Sequence, residues 1–399
     1  MPIDPFPDFD VAIAGAGLAG ASLALWLSRD GARVALLDSG EFPRDKLCGE
    51  YLSPECWGVL ERMGVAGDVS NSAYHPIRRI RITTPRGRVI ESEIATLDER
   101  PGIGLSRSFL DDLIVRRARE AGAMVLERSR VGGPLLRHGR VVGLHARHQL
   151  HGPFEVKAKV TIAADGRHSA LVRQTGRTRG RSPFRPRLFG MKRHLNLGNS
   201  GATEPFGTVG LNIVPGGYGG TCSVGAGVTN LCALLPESDV RHLRGDLDRV
   251  ARETLGRNPS LAALLEASTP AGEWKTVSNI RVEVSRPGID GILYAGDCQG
   301  TIDPLGGQGM TMALLGAEQL ARAVESALVS TAGADRSVQT ACQTAWHHRF
   351  DGRIRLCRLF HHALVHPEVV DLISLAGSLA SRAVSACYRK TRDPSWAGG

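Results

Sequence analysis

Glycines and one carboxylate at fixed spacing are the first residues in this chain suited to chemistry. Gly15, Gly17 and Gly20 make a GxGxxG turn with Leu18 and Ala19 inside it, and Asp38 follows at about the twenty-residue interval expected of a group accepting from ribose hydroxyls. Gly15 suits the tight turn, Gly17 lets the backbone approach a pyrophosphate, and Gly20 lets helix and strand pack closely. Phosphates then meet the positive end of a helix dipole. Arg44 and Lys46 supply positive charge beside that position, and Cys48 and Gly49 come next. Arg107, the pair Asp165-Gly166, the pair Gly296-Asp297, Pro304, and the run Gly306-Gly307-Gln308-Gly309-Met310 complete the set.

The elements that must position these residues read as follows. Val11 to Ala14 is an apolar strand, Ala21 to Ser28 an apolar helix, and Arg33 to Leu37 a second strand, so the glycine turn sits in a βαβ unit. Pro54 opens a helix that Gly64 ends. Ile80 to Ile90 alternates as a hairpin about Pro85-Arg86-Gly87. Ser106 or Ser108 caps a helix stopped at Gly122. Val156 to Ala163 is a strand leading into Asp165-Gly166, and Ile289 to Ala295 is a strand leading into Gly296-Asp297. Between about Arg177 and Glu283 prolines, glycines and short alternating strands take over, apart from a helical stretch from Asp239 to Leu265.

The fold expected is therefore α/β: a Rossmann-type dinucleotide-binding domain, an inserted and mostly antiparallel β substrate domain, and helices at the C-terminus. The boundaries read as 1–75, 100–180 and 285–340 for the first domain, 76–99 and 181–284 for the second, and 341–399 for the helical end. A chain of 399 residues exceeds one ordinary core, which agrees with two interleaved domains.

Composition excludes several classes. A 42% hydrophobic and 22% charged chain is neither disordered nor fibrous. The net charge of +9 comes mostly from scattered arginines with no aromatic-interleaved patch, so a solvated basic surface and a site for an anionic dinucleotide account for it without nucleic acid. Eight cysteines without CxxC or Cys/His ligand spacing point to a reducing cytoplasm, with no metal and no disulfide framework. The acidic, proline-broken start is unlike a signal peptide, and the run Leu372 to Ser381 is too short to span a bilayer. The basic run His347 to Arg358 reads as a solvated helix face, with peripheral membrane contact left open. The pairs His347-His348 and His361-His362 have no carboxylate or cysteine at ligand spacing.

The segment PRDKLCGEYLSPE, residues 43–55, resembles the one following the second strand in geranylgeranyl-reductase-like flavoproteins, and its Gly49-Glu50 is also similar to flavin-dependent halogenases. Asp165-Gly166 resembles the fingerprint of para-hydroxybenzoate-hydroxylase-like group A monooxygenases, and Gly296-Asp297 with its loop resembles the second FAD fingerprint of that superfamily. The resemblance implies FAD as cofactor, with Cys48 close to the ring, Arg107 on the pyrophosphate, Asp165-Gly166 touching both FAD and nicotinamide, Asp297 on the ribityl chain, and the backbone of Gly309 and Met310 at the pyrimidine edge. Cys48 as a small core residue and Arg107 as an exposed first-turn arginine stand as the plain alternatives.

With one dinucleotide fold in the chain, NAD(P)H is expected as a transient co-substrate. The activity implied first is an NAD(P)H-dependent monooxygenase that uses molecular oxygen, through a flavin C4a-hydroperoxide, on a small apolar, aromatic or polyketide-like substrate of secondary metabolism. A geranylgeranyl-reductase-like ene reductase is the alternative, with Cys48 or Tyr218 as proton donor; Gly210, Asn212 and Val214 stand where prenyl reductases carry aromatics before the proline, here Pro215. A halogenase is third, and no two of Trp26, Trp57, Trp274, Trp346 and Trp396 stand two apart. A flavin-free nucleotide-binding module leaves Gly296-Asp297 unexplained. His75, His194 and Tyr218 are candidate bases that no motif places.

Overall fold

The computed structural model describes residues 8–94, 99–175, 187–197, 207–280, 284, 289–329 and 334–392. The junction near Arg177, the first seven residues and Trp396 lie outside the described residues. Four parallel strands set the site. β1 (Phe9–Ala14) pairs with β2 (Val34–Leu37) on one side and β11 (Gly152–Ala163) on the other, and β11 pairs with β18 (Ile292–Tyr294). Strands covered on both faces are continuously apolar rather than alternating, and Val11, Ile13, Leu36, Ile162 and Leu293 are all buried. The register aligns Ala14 with Leu37 and Ala163, and Ala163 with Tyr294, so the strands end level. Gly15, Asp38, Asp165 and Gly296 therefore emerge together at one edge, the carboxyl end of the sheet where ligands of open α/β folds bind.

Strand β8 (Met124–Leu126) extends this sheet beyond β2. On the far side, β9 (Ser129–Arg137) and β10 (Arg140–His148) form an antiparallel meander with the long β11, an addition that sequence patterning did not suggest. Its first turn is made by His138 and Gly139, both at positive φ. Helix α1 (Leu18–Arg29) is buried almost all round, between α4 (Arg107–Glu120) and α9 (Gly309–Val329). Ser106 is the N-cap of α4, accepting from the Ser108 amide. Shorter helices α2 (Cys56–Arg62), α3 (Ala66–Ser70) and α5 (Ala170–Gln174) complete this half.

The second sheet is mostly antiparallel. It contains β5 (Arg79–Thr83), β6 (Val89–Glu93), β12 (Leu188–Asn196), β13 (Thr208–Val214), β14 (Gly217–Gly225), β15 (Val228–Pro236), β16 (Thr269–Pro270) and β17 (Lys275–Ile280). Its order is β16-β12-β15-β14-β13-β5-β6, with β17 also on β12. The hairpin at 79–93 thus joins the inserted strands, with β5 parallel to β13. The helical stretch expected from Asp239 to Leu265 is instead three helices, α6 (Glu237–His242), α7 (Leu247–Glu253) and α8 (Pro259–Ala267). Gly245 at φ +74° and Asn258-Pro259 interrupt the backbone, and Asn258 caps α8. A small sheet of β3 (Tyr51–Leu52), β7 (Gly102–Gly104) and β4 (His75–Ile77) lies between the two.

Helices α10 (Arg336–Leu364), α11 (Pro367–Ser374) and α12 (Ser378–Lys390) close the described chain. The solvated face expected for His347 to Arg358 is corrected: Phe350, Arg353, Ile354 and Cys357 are buried, because this side of α10 packs on the core around α9.

Candidate active site

The three glycines differ in what surrounds them. Gly15 has φ +98°, and a Cβ there would overlap the Ala164 carbonyl; a Cβ at Gly20 would overlap the Gly15 carbonyl. Gly17 behaves differently. Its nearest neighbour is Lys46 Nζ, 3.6 Å from where a Cβ would lie, and it begins α1 without a side-chain cap. Lys46 Nζ also stands 3.9 Å from the corresponding point at Gly166. Lys46 is exposed within the cleft, and the neighbouring protein and Arg107 press its pKa down while Asp297 and Asp111 oppose that shift. An open helix start beside an ammonium with no counter-ion in contact among the described residues suits a pyrophosphate.

Asp38 is buried, and its carboxylate accepts from the Ala16 amide at 2.8 Å and the Gly40 amide at 2.8 Å. Arg44 lies at this end of the cleft, 2.9 Å from Asp38 and 4.8 Å from the Phe42 ring. Of the two cations in the segment, Lys46 is the one against Gly17.

Arg107 is not an exposed first-turn arginine. It is buried, its fork holds Asp111 at 2.7 and 2.8 Å, and its backbone N–H donates to Glu50 at 2.8 Å. Asp111 and Cys48 both favour its charged form against burial, so its pKa is raised. Cys48 is half-buried; its sulfur accepts from the Glu50 amide at 3.4 Å and its carbonyl takes the Asn230 side chain at 2.9 Å.

Glu50, fully buried and at φ +57°, is the centre of a cluster that sequence reading missed. Its carboxylate meets Lys192 Nζ at 2.8 Å and His194 Nε2 at 2.6 Å, and Lys192 also reaches Asp45 at 2.6 Å. Asp45, Glu50 and His194 together have the ligand atoms of a cation site. Lys192, only 1% exposed, stands among those carboxylates as the chain's own cation. His194 is thus a partner of Glu50 rather than a lone base. Lys192 and His194 share one face of β12 by strand alternation, the one signal in MKRHLN that could have set both against a single carboxylate.

Asp165 accepts from the Ala170 amide at 2.9 Å and from the Cys298 thiol at 3.3 Å. Asp297 faces Arg167 at 3.4 Å, and a Cβ at Gly296 would lie 3.0 Å from Ala19 Cβ. The late loop therefore touches the first turn of α1. At Gly307, φ +61°, a Cβ would lie 3.0 Å from Tyr51; at Gly309, where α9 begins, it would meet nothing within 4 Å. Met310 is buried below. An uncapped α1, an open α9 start and Lys46 between the loops fit an extended dinucleotide between the glycine turn and the Asp297 loop.

Beyond this cleft lies a cavity of about 420 Å³. Gly49 and Pro304 to Gly307 form one wall, Tyr218 with Gly210 and Thr221 another, and residues of α10 to α12 a third. Tyr218 is 5% exposed, and its hydroxyl has no hydrogen-bonding partner among the described residues. Burial, then Asp303 and neighbouring thiols, raise its pKa well above the ordinary phenol value. Burial likewise pushes Cys232 and Cys357 up to about 12. Asn212 points away into a network with Thr83 and Gly219, while Gly210 does line the cavity. Tyr51, from the 43–55 segment, lines it too, as do Cys357 and Tyr388, which no motif contains.

Elsewhere, His75 accepts from the Gly207 amide at 3.2 Å, remote from these loops in function as a strand-end contact. His347 and His361, read as lacking carboxylate partners, pair with Asp351 at 2.8 Å and Asp303 at 3.0 Å.

Comparison with known proteins agrees with this geometry. The FAD binding domain family is matched over residues 8–340, and the chain belongs to that family. Menaquinone reductase of Mycobacterium tuberculosis is 28% identical over 319 residues, 76% of this chain and 74% of that protein. Digeranylgeranylglycerophospholipid reductase 1 of Methanopyrus kandleri is 28% identical over 386 residues, 93% of this chain and 95% of that protein. Among solved structures, a geranylgeranyl bacteriochlorophyll reductase-like protein from Thermoplasma acidophilum superposes with TM-score 0.78 at 21% identity, covering 94% of this chain and 91% of that one. The flavin-dependent brominase Bmp2 has the same fold, with TM-score 0.76 at 17% identity, covering 96% of this chain and all of that one. The cofactor is FAD, and the chain is an FAD-dependent oxidoreductase. No single described helix is long and apolar enough to cross a membrane.

Proposed function

We propose that this protein is a flavin-dependent reductase that adds two hydrogens across a carbon–carbon double bond of an apolar small molecule, with NAD(P)H as transient reductant. One observation carries the reading. Among the described residues the cavity wall holds no carboxylate and no imidazole, while its polar groups include Tyr218, Cys232 and Cys357, all kept protonated by burial. Alkene reduction needs an acid at the substrate, whereas hydroxylation of a phenol needs a base. The names of the curated relatives, reductases of menaquinone and of an archaeal lipid, support the same side.

FAD, when bound, supplies hydride. Gly17 and Lys46 would hold its phosphates, Asp38 its ribose, Asp297 the ribityl chain and the α9 start the pyrimidine edge, with Cys48 on the loop that would run past the ring; Arg107 stiffens that 45–50 loop through Glu50. Ile80, Ile82, Leu211 and Leu305 exclude water and align the apolar substrate. A hydroxyl on the wall delivers the proton.

Oxygen insertion is the second reading, supported by the same dry walls beside Gly49 and Gly307. The test is to incubate FAD-loaded protein with NAD(P)H and a panel of prenylated, quinone and aromatic compounds, with and without air, and weigh the products. A gain of two hydrogens without air is expected; a gain of one oxygen that needs air overturns the reductase in favour of the monooxygenase.

A further inference from the structure

Two cavity hydroxyls are hydrogen-bonded to each other. Tyr51 Oη and Tyr388 Oη are 2.6 Å apart, although 337 residues separate them in sequence, and both rings are 7% exposed and line the cavity. Tyr51 packs against Gly307, on the loop that leads to the α9 start. Tyr388 is brought by the last turn of α12, and just beyond it Arg392 lays its guanidinium 3.7 Å over the Tyr388 ring. Arg392 is 4% exposed; Nη1 donates to Thr391 Oγ1 at 2.9 Å, and Nε and Nη2 have no hydrogen-bonding partner among the described residues.

A pair of phenols holds two protons, and only one lies in the bond between them. The guanidinium stacks on Tyr388, so negative charge is best accommodated there. Tyr388 then donates to Tyr51, and the Tyr51 proton is left for whatever occupies the cavity. We infer that Tyr51 is the proton-donating and oxygen-binding group of this cavity, with Tyr388 and Arg392 as its positioning residues, and that the ligand is an apolar molecule carrying one carbonyl or phenol oxygen. The inference rests on the cavity being the substrate site proposed above.

The transfer balances. With hydride that a bound, reduced flavin would supply at the β-carbon of a conjugated double bond, the π pair would move to the substrate oxygen and the Tyr51 O–H bond would break as its proton bonds there, leaving an enol that tautomerises to the saturated carbonyl. The Tyr388 proton passes to the Tyr51 oxygen, and the charge rests on Tyr388 beside Arg392 until a water proton restores it. Burial raises the pKa of both phenols, Tyr388 adds to the effect at Tyr51, and Arg392 opposes it, so the array starts neutral. Glu55, Cys56 and Cys357 also face Arg392, and burial keeps both thiols protonated, with pKa values of about 12. Among the described residues, no cation is stacked on Tyr218.

The experiment uses FAD-loaded protein and 4-nitrophenol, whose phenolate absorbs separately from its phenol. The wild type is expected to bind the phenolate about tenfold more tightly than the phenol, since an adjacent cation and a donor hydroxyl favour the charged form. Tyr51→Phe and Arg392→Met are expected to lose that preference while keeping the flavin spectrum, and Tyr218→Phe to retain it. If Tyr51→Phe does not hold FAD, Tyr388→Phe carries the test with the same expectation. Persistence of the preference in these variants, its loss in Tyr218→Phe alone, or no binding to the wild type overturns the inference. A failure of alkene reduction with the nitrophenolate preference intact sinks the reaction and leaves the array standing.

Discussion

At the scale of single residues, the glycines separate into those hemmed in by protein and those with open space where a side chain would stand. Gly20→Ala drives a methyl into the Gly15 carbonyl, and rigid backbone cannot give way. That variant is expected to purify without flavin, read from the visible absorbance, whereas Gly309→Ala meets no protein atom and is expected to fold normally with weakened FAD binding. Glu50→Gln tests the buried cluster. It removes the charge that compensates Lys192, and a broken buried ion pair costs about 3–5 kcal/mol, with the lower end expected here because Asp45 still faces Lys192. Urea denaturation followed by tryptophan fluorescence measures it. The glycine turn and Asp38 were legible because their demands are local, satisfied within one βαβ unit. Glu50 was not, since the residue that explains it, His194, is 144 positions away on another sheet.

At the scale of elements, α10 is pinned by one side chain. Arg353 forks onto Glu55 at 2.9 and 3.1 Å and reaches Gln308 at 3.0 Å, joining α10 to the start of α2 and to the residue before α9. Arg353→Met is expected to lower the melting temperature, with a loss of about 3 kcal/mol from leaving Glu55 short of its partner. Nothing in WHHRFDGRIRLCR distinguishes Arg353 from the solvated Arg355, because helical spacing gives only a face, not what covers it. Asp10 links the edges of β1, β2 and β11. Burial works against its charge, but the Arg33 amide at 3.0 Å and Lys159 at 2.9 Å prevail, bringing its pKa down to about 2. A carboxylate with a lowered folded pKa stabilises above its unfolded value of 3.8 and loses that contribution as pH falls towards 2. Asp10→Asn is therefore expected to lower stability at pH 6 and to make little difference below pH 2, when thermal melts are compared across that range.

At the scale of the molecule, the cavity proposed for substrate is walled by both sheet-bearing halves and by α10 to α12. The sheet edge that gathers Gly15, Asp38, Asp165 and Gly296 was legible in the order of the fingerprints, because parallel strands bring successive loops to one side. The third wall was not. Residues 341–399 carry no motif, and their part in the cavity depends on how α10 to α12 fold back, a matter of packing and not of local pattern. Removing residues from Gly377 onward takes away Ala380, Val384 and Tyr388. The truncated protein is expected to retain FAD, held by distant loops, and to lose binding of apolar ligands, measured by equilibrium dialysis with 4-nitrophenol.

The apolar side chains of Leu359 and Ile373 both line the cavity and reach the surface, and Leu372, Leu375 and Leu379 are exposed beside them. On the function proposed, the nucleotide is held by one part of the polypeptide, and the guest is chosen largely by another. Grafting the tail of one family member onto the body of a second would then transfer appetite for a compound without disturbing redox machinery, and such chimaeras offer evolution an inexpensive way to diversify.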